Sequence, residues 1–287
     1  RHPSSLVLEH DSHLYLLDCG EGTQWRLLET ETKIFRIDYI FISHLHGDHY
    51  LGLIGLLSTM HSYGRKNKLY LYGPPGLSEL LTLQFYYQQT QLEYQIILTE
   101  IDTTIHQKIG EDEKFEFYSI PLKHRIPTTG YLFVEKPKPL NIIKEKILPG
   151  MKLQHIQMLK SGVDVTDDHG NVIYKVQDFT LPPSPLKKFA YCTDTIFDRE
   201  IIPYISNVNL LYHEATFLND KVGRATETHH TTATQAATIA KEANVKNLII
   251  GHFSARYKLL EPFLEESRAV FKNTSLAEEG KSFEITI

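Results

Sequence analysis

The chain has 287 residues, 41% of them hydrophobic, enough to bury a large core in one domain. Its formal charge is −5, so the surface as a whole is not that of a nucleic-acid binder, and any such activity has to come from a local basic patch. The two cysteines, Cys19 and Cys192, cannot build a disulfide framework and fit a reducing, cytoplasmic setting, and no run is long and apolar enough to span a bilayer.

The chain starts at Arg1 rather than Met, so the lack of a signal peptide there says little. Residues 4–9 and 13–18 read as paired strands joined by the polar turn His10-Asp11-Ser12. The second runs into Asp18-Cys19-Gly20-Glu21-Gly22-Thr23-Gln24, a glycine-punctuated loop that starts a helix at Gln24. Asp18 has two readings of equal weight: a turn or cap aspartate, or a buried carboxylate that fixes one histidine's tautomer. Ile40-Phe41-Ile42 is a short buried strand. It opens into Ser43-His44-Leu45-His46-Gly47-Asp48-His49, with three histidines and an aspartate in six positions, before helical spacing resumes from Tyr50 to Leu57. Imidazoles and carboxylates at that density need partners in a core. A divalent ion supplies one, and His with Asp is a donor set that suits zinc. His44 and His46 can point to one side, while Asp48 and His49 open a helix and point to another. Two directions suggest two metals.

Ser43-His44-Leu45-His46-Gly47-Asp48-His49 resembles the HxHxDH signature of the metallo-β-lactamase superfamily. The resemblance implies an α/β fold, the αββα sandwich, and a metal centre, and leaves the substrate open. Further along, residues 68–72 alternate as a strand and Leu77 to Gln88 reads as a helix. A strand over residues 115–122 leads to His124, which by itself reads as an ordinary loop residue; the resemblance of His124…Gly130-Tyr131 to the family's H…GY segment implies that it completes one metal's ligands. His10, His13, His61 and His106 have no such context and read as surface residues. From Glu135 the composition changes. Lys136, Lys138, Lys144, Lys146, Lys152 and Lys160 outnumber Glu135, Glu145 and Asp164, and Pro182-Pro183-Ser184-Pro185 marks the return to the core. Composition alone makes this a solvated insertion, although lysines on an arm can also neutralise phosphates far from a cut. Residues 189–193 form a strand ending at Asp194, the place for a carboxylate that bridges two ions. Residues 209–212 deliver His213-Glu214-Ala215-Thr216, where alternation turns Glu214 inward and His213 away. Thr228-His229-His230-Thr231-Thr232 caps a helix, and residues 247–251 form a strand that delivers His252.

The strings LLDCGEGTQ at 16–24, HEAT at 213–216, His230-Thr231 and HFSARY at 252–257, with the basic excursion, narrow the resemblance to the ribonuclease Z branch, the tRNA 3′-processing endonucleases. It implies a zinc-dependent endoribonuclease that removes the 3′ trailer from precursor tRNA. It assigns His44, His46 and His124 to one Zn2+ and Asp48, His49 and His252 to another, with Asp194 bridging, so two Zn2+ per subunit. Two ions lower the pKa of a shared water toward neutrality. Asp48 has a second role, orienting that water, and His230 held by Glu214 protonates the leaving ribose oxygen. His230 is chosen over His229 by its offset to Gln235-Ala236-Ala237. Lys144, Lys146, Lys152 and Arg256 are the expected substrate-binding residues. One domain over 1–287 is expected, with 135–165 as an inserted tRNA-binding arm, in a homodimer whose arms serve the partner's site. The alternative is a phosphodiesterase or other small-molecule hydrolase of the same fold. A full set of seven ligands argues against an inactive nucleic-acid-binding subunit.

Overall fold

Alternate side chains along the long strands enter two different apolar environments, which requires sheets covered on both faces. The computed structural model, which describes residues 2–286, supplies them. The first sheet has the order β1 (Leu6–His10), β2 (His13–Leu17), β3 (Ile37–Phe41), β4 (Leu69–Gly73) and β5 (Ile96–Glu100). β1 and β2 form an antiparallel hairpin, and the other neighbours run parallel. Leu14, Leu16 and Ile40 pack with Leu53, Leu56, Leu57 and Leu77 of helices Gly52–Ser62 and Leu77–Gln88. Tyr15, Leu17 and Phe41 point the other way, into a second buried cluster.

A second sheet begins with β6 (Lys108–Glu111), β7 (Phe115–Leu122) and β8 (Thr128–Glu135). The chain then leaves to form a separate compact unit over Glu135–Lys187. There β9 (Asn141–Ile142) pairs with β12 (Thr180–Leu181), β10 (Val165–Thr166) pairs with β11 (Val172–Tyr174), and helix Leu153–Lys160 buries Leu159. The expected arm, 135–165, falls inside this unit. The unit runs on to Lys187 because β9 finds its partner only at Thr180–Leu181. Leu148-Pro149-Gly150-Met151 forms a tight turn, with the Met151 N–H donating to the Leu148 carbonyl at 3.1 Å and Gly150 at φ 91°. Proline followed by a left-handed glycine is what such a turn requires.

The second sheet resumes with β13 (Lys188–Cys192), β14 (Leu210–Glu214), β15 (Asn247–Gly251) and β16 (Thr274–Leu276). These four run parallel, and β8 joins β13 antiparallel. Leu211, Leu248 and Ile250 pack against Ala236, Ala240 and Phe263 of helices Ala233–Glu242 and Glu261–Val270. The layer order is therefore helix, sheet, sheet, helix, the αββα sandwich. Between the sheets sits an aromatic cluster in which Phe41 meets Phe117, Tyr131 and Phe133 edge-on at 5.0–5.1 Å. Buried tyrosine hydroxyls there need acceptors. Tyr15 donates to Asp112 and Tyr131 to the Ile42 carbonyl, both at 2.6 Å. Cys19 and Cys192 are free thiols, both buried. Among the described residues, no helix is long and apolar enough to cross a membrane. His106 departs from the surface reading: it is half-buried, with its ring stacked between Tyr118 and Tyr204.

Candidate metal centre

Open α/β sheets present ligand sites at the carboxyl ends of their strands, and the polar residues collect there. β3 ends at Phe41 and releases the loop and helical turn that carry His44, His46, Asp48 and His49. β7 delivers His124, β13 delivers Asp194, β14 ends in Glu214, and β15 delivers His252. The loop from Asp18 clamps the first group. The Cys19 N–H donates to the His49 carbonyl at 2.7 Å and the Gly52 N–H to the Cys19 carbonyl at 2.9 Å. This approach needs glycine at position 20, where a Cβ would lie 2.3 Å from the Asp48 carbonyl oxygen.

The donor atoms form three overlapping groups: His44, His46, His124 and Asp194; Asp48, His49 and His252; and Asp194, His230 and His252. In the first, His46 Nδ1 lies 3.0 Å from His44 Nε2 and 3.2 Å from His124 Nε2. Asp194 Oδ2 is 3.6 Å from His44 Nε2 and 3.7 Å from His124 Nε2. In the second, His49 Nε2 and His252 Nε2 are 3.3 Å apart, and Asp48 Oδ2 lies 3.5 and 3.4 Å from them. Asp194 Oδ1 stands 3.5 and 3.2 Å from the same two nitrogens. A tetrahedral ion held at roughly 2.0–2.1 Å separates its ligands by about 3.4 Å. Eight donors from seven side chains thus outline two cages of the right size, and the donor chemistry fits metal binding.

Charge supports that fit. Burial and the neighbouring His49 push His44 down to about 2, which leaves a neutral ring with a lone pair to donate. Burial resists ionisation of Asp194, yet His252, His49 and His44 hold its carboxyl well below the ordinary range. Burial also opposes protonation of His252, but Asp194, Asp48 and Glu214 push it up to about 10. Without a metal that imidazole carries a proton, which a bound cation would displace.

Two buried carboxylates steady the rings from behind. Asp18, at φ 57° and fully buried, accepts from the Ser43 N–H and Oγ, from His49 Nδ1 and from the Tyr191 hydroxyl, all at 2.7–2.9 Å. The tautomer-fixing reading of Asp18 is the one its surroundings match. Glu214 accepts from His230 Nδ1 at 2.8 Å and from the Thr195 N–H at 3.0 Å. His230 Nε2 has no hydrogen-bond partner among the described residues, and its ring lies 5.5 Å from His252 and 5.1 Å from His124. His229 sits differently. At φ 55° it ends helix Val222–Thr228, its Nδ1 is buried without a hydrogen-bond partner among the described residues, and its carbonyl accepts from His124 Nδ1 at 2.9 Å. His213 is buried outside the donor groups, with its Nδ1 bonded to the Glu214 carbonyl.

Arg256 is exposed, anchored to Ser254 Oγ at 3.0 Å and laid over the Phe217 ring, which neighbours His230. Lys144, Lys146 and Lys152 are exposed on the inserted unit, and Lys146 Nζ donates to the Asp178 carbonyl at 2.6 Å. Ser43, Tyr191 and Thr216 were not legible as site residues. Hydroxyls in a string such as HEAT carry no donor signature until the fold gives them partners.

Fold and donor set together define the class, a metallo-β-lactamase-fold hydrolase. Similar proteins sharpen this. Proteins named ribonuclease Z from Cytophaga hutchinsonii and Bacteroides fragilis are 44% and 45% identical, cover 100% and 96% of this chain, and are each covered over 91% of their own length. The crystal structure of human tRNase Z, short form, superposes with a TM-score of 0.72 at 26% identity, covering 100% of this chain and 94% of that one. A metallo-β-lactamase fold protein from Bacillus subtilis shares the fold, with a TM-score of 0.66 at 18% identity over 98% of this chain and 90% of its own. A family model described as Anti-Pycsar protein Apyc1 matches residues 2–132, less than half of the chain. The chain belongs to the ribonuclease Z family.

Proposed function

We propose that this chain removes the 3′ trailer from precursor tRNA, leaving a tRNA 3′-hydroxyl and a 5′-phosphorylated trailer. The observation that carries the proposal is the Glu214–His230 pair at 2.8 Å beside the two donor groups. Cleaving a phosphodiester expels a ribose oxygen, a poor leaving group unless it takes up a proton. Glu214 holds His230 by Nδ1, which leaves Nε2 as the ring atom to present a proton.

His44, His46, His124 and Asp194 Oδ2 would hold one Zn2+, and Asp48, His49, His252 and Asp194 Oδ1 the other. Such a pair supplies Lewis acidity at phosphorus and a water acidic enough to attack near neutrality. Asp48 is the donor with the most open side chain, 51% exposed. Its second oxygen is the group to orient and deprotonate the attacking water. Arg256 binds backbone phosphate beside the donor residues, and Lys144, Lys146 and Lys152 bind it on the inserted unit. The protein would work as a cytoplasmic homodimer of metallo-β-lactamase-fold subunits, each inserted unit serving the partner's centre.

The test uses the full chain with precursor tRNA and with a chromogenic phosphodiester, the RNA ends being mapped and zinc measured. The proposal expects a single cut at the trailer junction and close to two zinc ions per chain. Hydrolysis of the small diester with intact precursor would instead support the small-molecule phosphodiesterase reading.

A further inference from the structure

The two buried carboxylates hold imidazoles by the same device. Asp18 Oδ2 takes His49 Nδ1 directly at 2.7 Å and reaches His44 Nδ1 through Ser43 Oγ, 2.9 Å on either side. Glu214 Oε1 takes His230 Nδ1 directly at 2.8 Å. Its other oxygen, Oε2, reaches His252 Nδ1 through Thr216 Oγ1, at 2.7 and 2.9 Å. The partners differ in kind. Asp18 serves two histidines of the donor groups, whereas Glu214 serves one of them and the histidine read above as the acid.

Thr216 Oγ1 has a single hydrogen to give. Its shortest contact is the Glu214 carboxylate, a charged acceptor that forms the stronger bond. Its lone pairs are then left for His252 Nδ1–H, with His230 Nδ1 further off at 3.2 Å. The Thr216 N–H adds a second bond to Glu214 Oε2 at 3.0 Å. One residue therefore pins the carboxylate against rotation and sets the His252 tautomer that leaves Nε2 for a metal.

We propose that Thr216 is a positioning residue that couples the acid pair to the second metal cage. The inference rests on reading His230 as the acid and His252 as a ligand, and it adds a consequence. Glu214 is not reserved for acid catalysis: releasing Thr216 or Glu214 loosens His252, while removing His230 leaves the cage intact.

The experiment measures zinc affinity by chelator competition, and kcat and KM on precursor tRNA, for the full chain and its T216V, T216S and H230A variants. Valine keeps the shape of threonine and deletes the hydroxyl. T216V is expected to bind one of its zinc ions about 10- to 100-fold more weakly, in the range set by losing such an outer partner. Its kcat should fall at zinc saturation with KM little changed, and T216S should restore both properties. H230A should lose kcat and keep wild-type zinc affinity. Wild-type zinc affinity in T216V would overturn the proposal, and so would equal damage in T216S, because the hydroxyl would then not be the agent. Zinc loss in H230A as large as in T216V would overturn the reading of His230 instead, leaving the link from Thr216 to His252 standing. Should T216V not fold, T216A takes its place against the same serine comparator.

Discussion

The metal centre and the inserted unit use charge in opposite ways. In the centre, His44, His49 and Asp194 are 0–3% exposed, and the side-chain polar atoms of these three each meet a specific partner within a few ångströms. In the insertion, residues 135–187 carry eight lysines against six acidic residues within a chain of net charge −5, and most of that charge faces water. A buried charge whose partner is removed has nowhere to turn. An exposed charge is screened by salt and replaced by its neighbours. Substitutions in the first region should act steeply, through the metal or through the acid beside it, and in the second shallowly, additively and through RNA alone.

The steepest expected effect is at Asp194, whose two oxygens face different donor groups. Asp194→Asn leaves each group one charged donor short. Metal affinity should fall by more than about 100-fold, beyond what the loss of an outer partner costs, as read by metal analysis after dialysis. His230→Ala comes next: cleavage should slow by about 10²–10⁴-fold, the usual worth of a general acid, with zinc content unchanged. Asp18→Asn should weaken metal binding about 10- to 100-fold. The amide would turn a donor toward the Ser43, His49 and Tyr191 groups that now donate to Asp18 Oδ2 or Oδ1. A donor-residue variant, at Asp194 for instance, that lost RNA cleavage while keeping metal affinity and small-diester hydrolysis would break the contrast.

How much of this could be read in advance follows the same division. The αββα sandwich was legible because alternating apolar strands and the HxHxDH string constrain it strongly. The positions of His44, His46, Asp48, His49, His124, Asp194 and His252 were legible too, since each follows an apolar strand and has metal-binding chemistry. What stayed hidden depended on contacts distant in the chain. Asp18 had two equal readings until Tyr191, 173 residues away, and Ser43 closed around its carboxylate. Thr216 looked like any threonine at a strand end. His106 passed for a surface residue because nothing local announces the stack with Tyr204. The insertion was marked at both ends, by the lysines after Glu135 and by Pro182-Pro183-Ser184-Pro185, but that residues 166–181 belong with 135–165 depends on the pairing of Thr180–Leu181 with Asn141–Ile142.

The smallest expected effects belong to the lysines, and they sharpen the comparison most. Each lysine that neutralises a phosphate releases about one counterion, so its loss flattens the dependence of log affinity on log salt by roughly 0.9 for a double-stranded target. Lys144→Ala and Lys152→Ala should each do this for precursor tRNA, with hydrolysis of a small diester unchanged. Lys146 separates charge from geometry. Its ammonium donates to the Asp178 carbonyl, a contact that fixes its place without cancelling its charge. If the insertion works as a loose cloud of positive charge, Lys146→Ala and Asp178→Ala should differ, since only the first removes a cation. If Asp178→Ala, which keeps that carbonyl but deletes a carboxylate, steepens the salt dependence, then net charge governs the insertion. Should Lys146→Ala instead abolish binding outright while Lys144→Ala and Lys152→Ala do nothing, the insertion would be a site built to one geometry, and the contrast with the metal centre would fail.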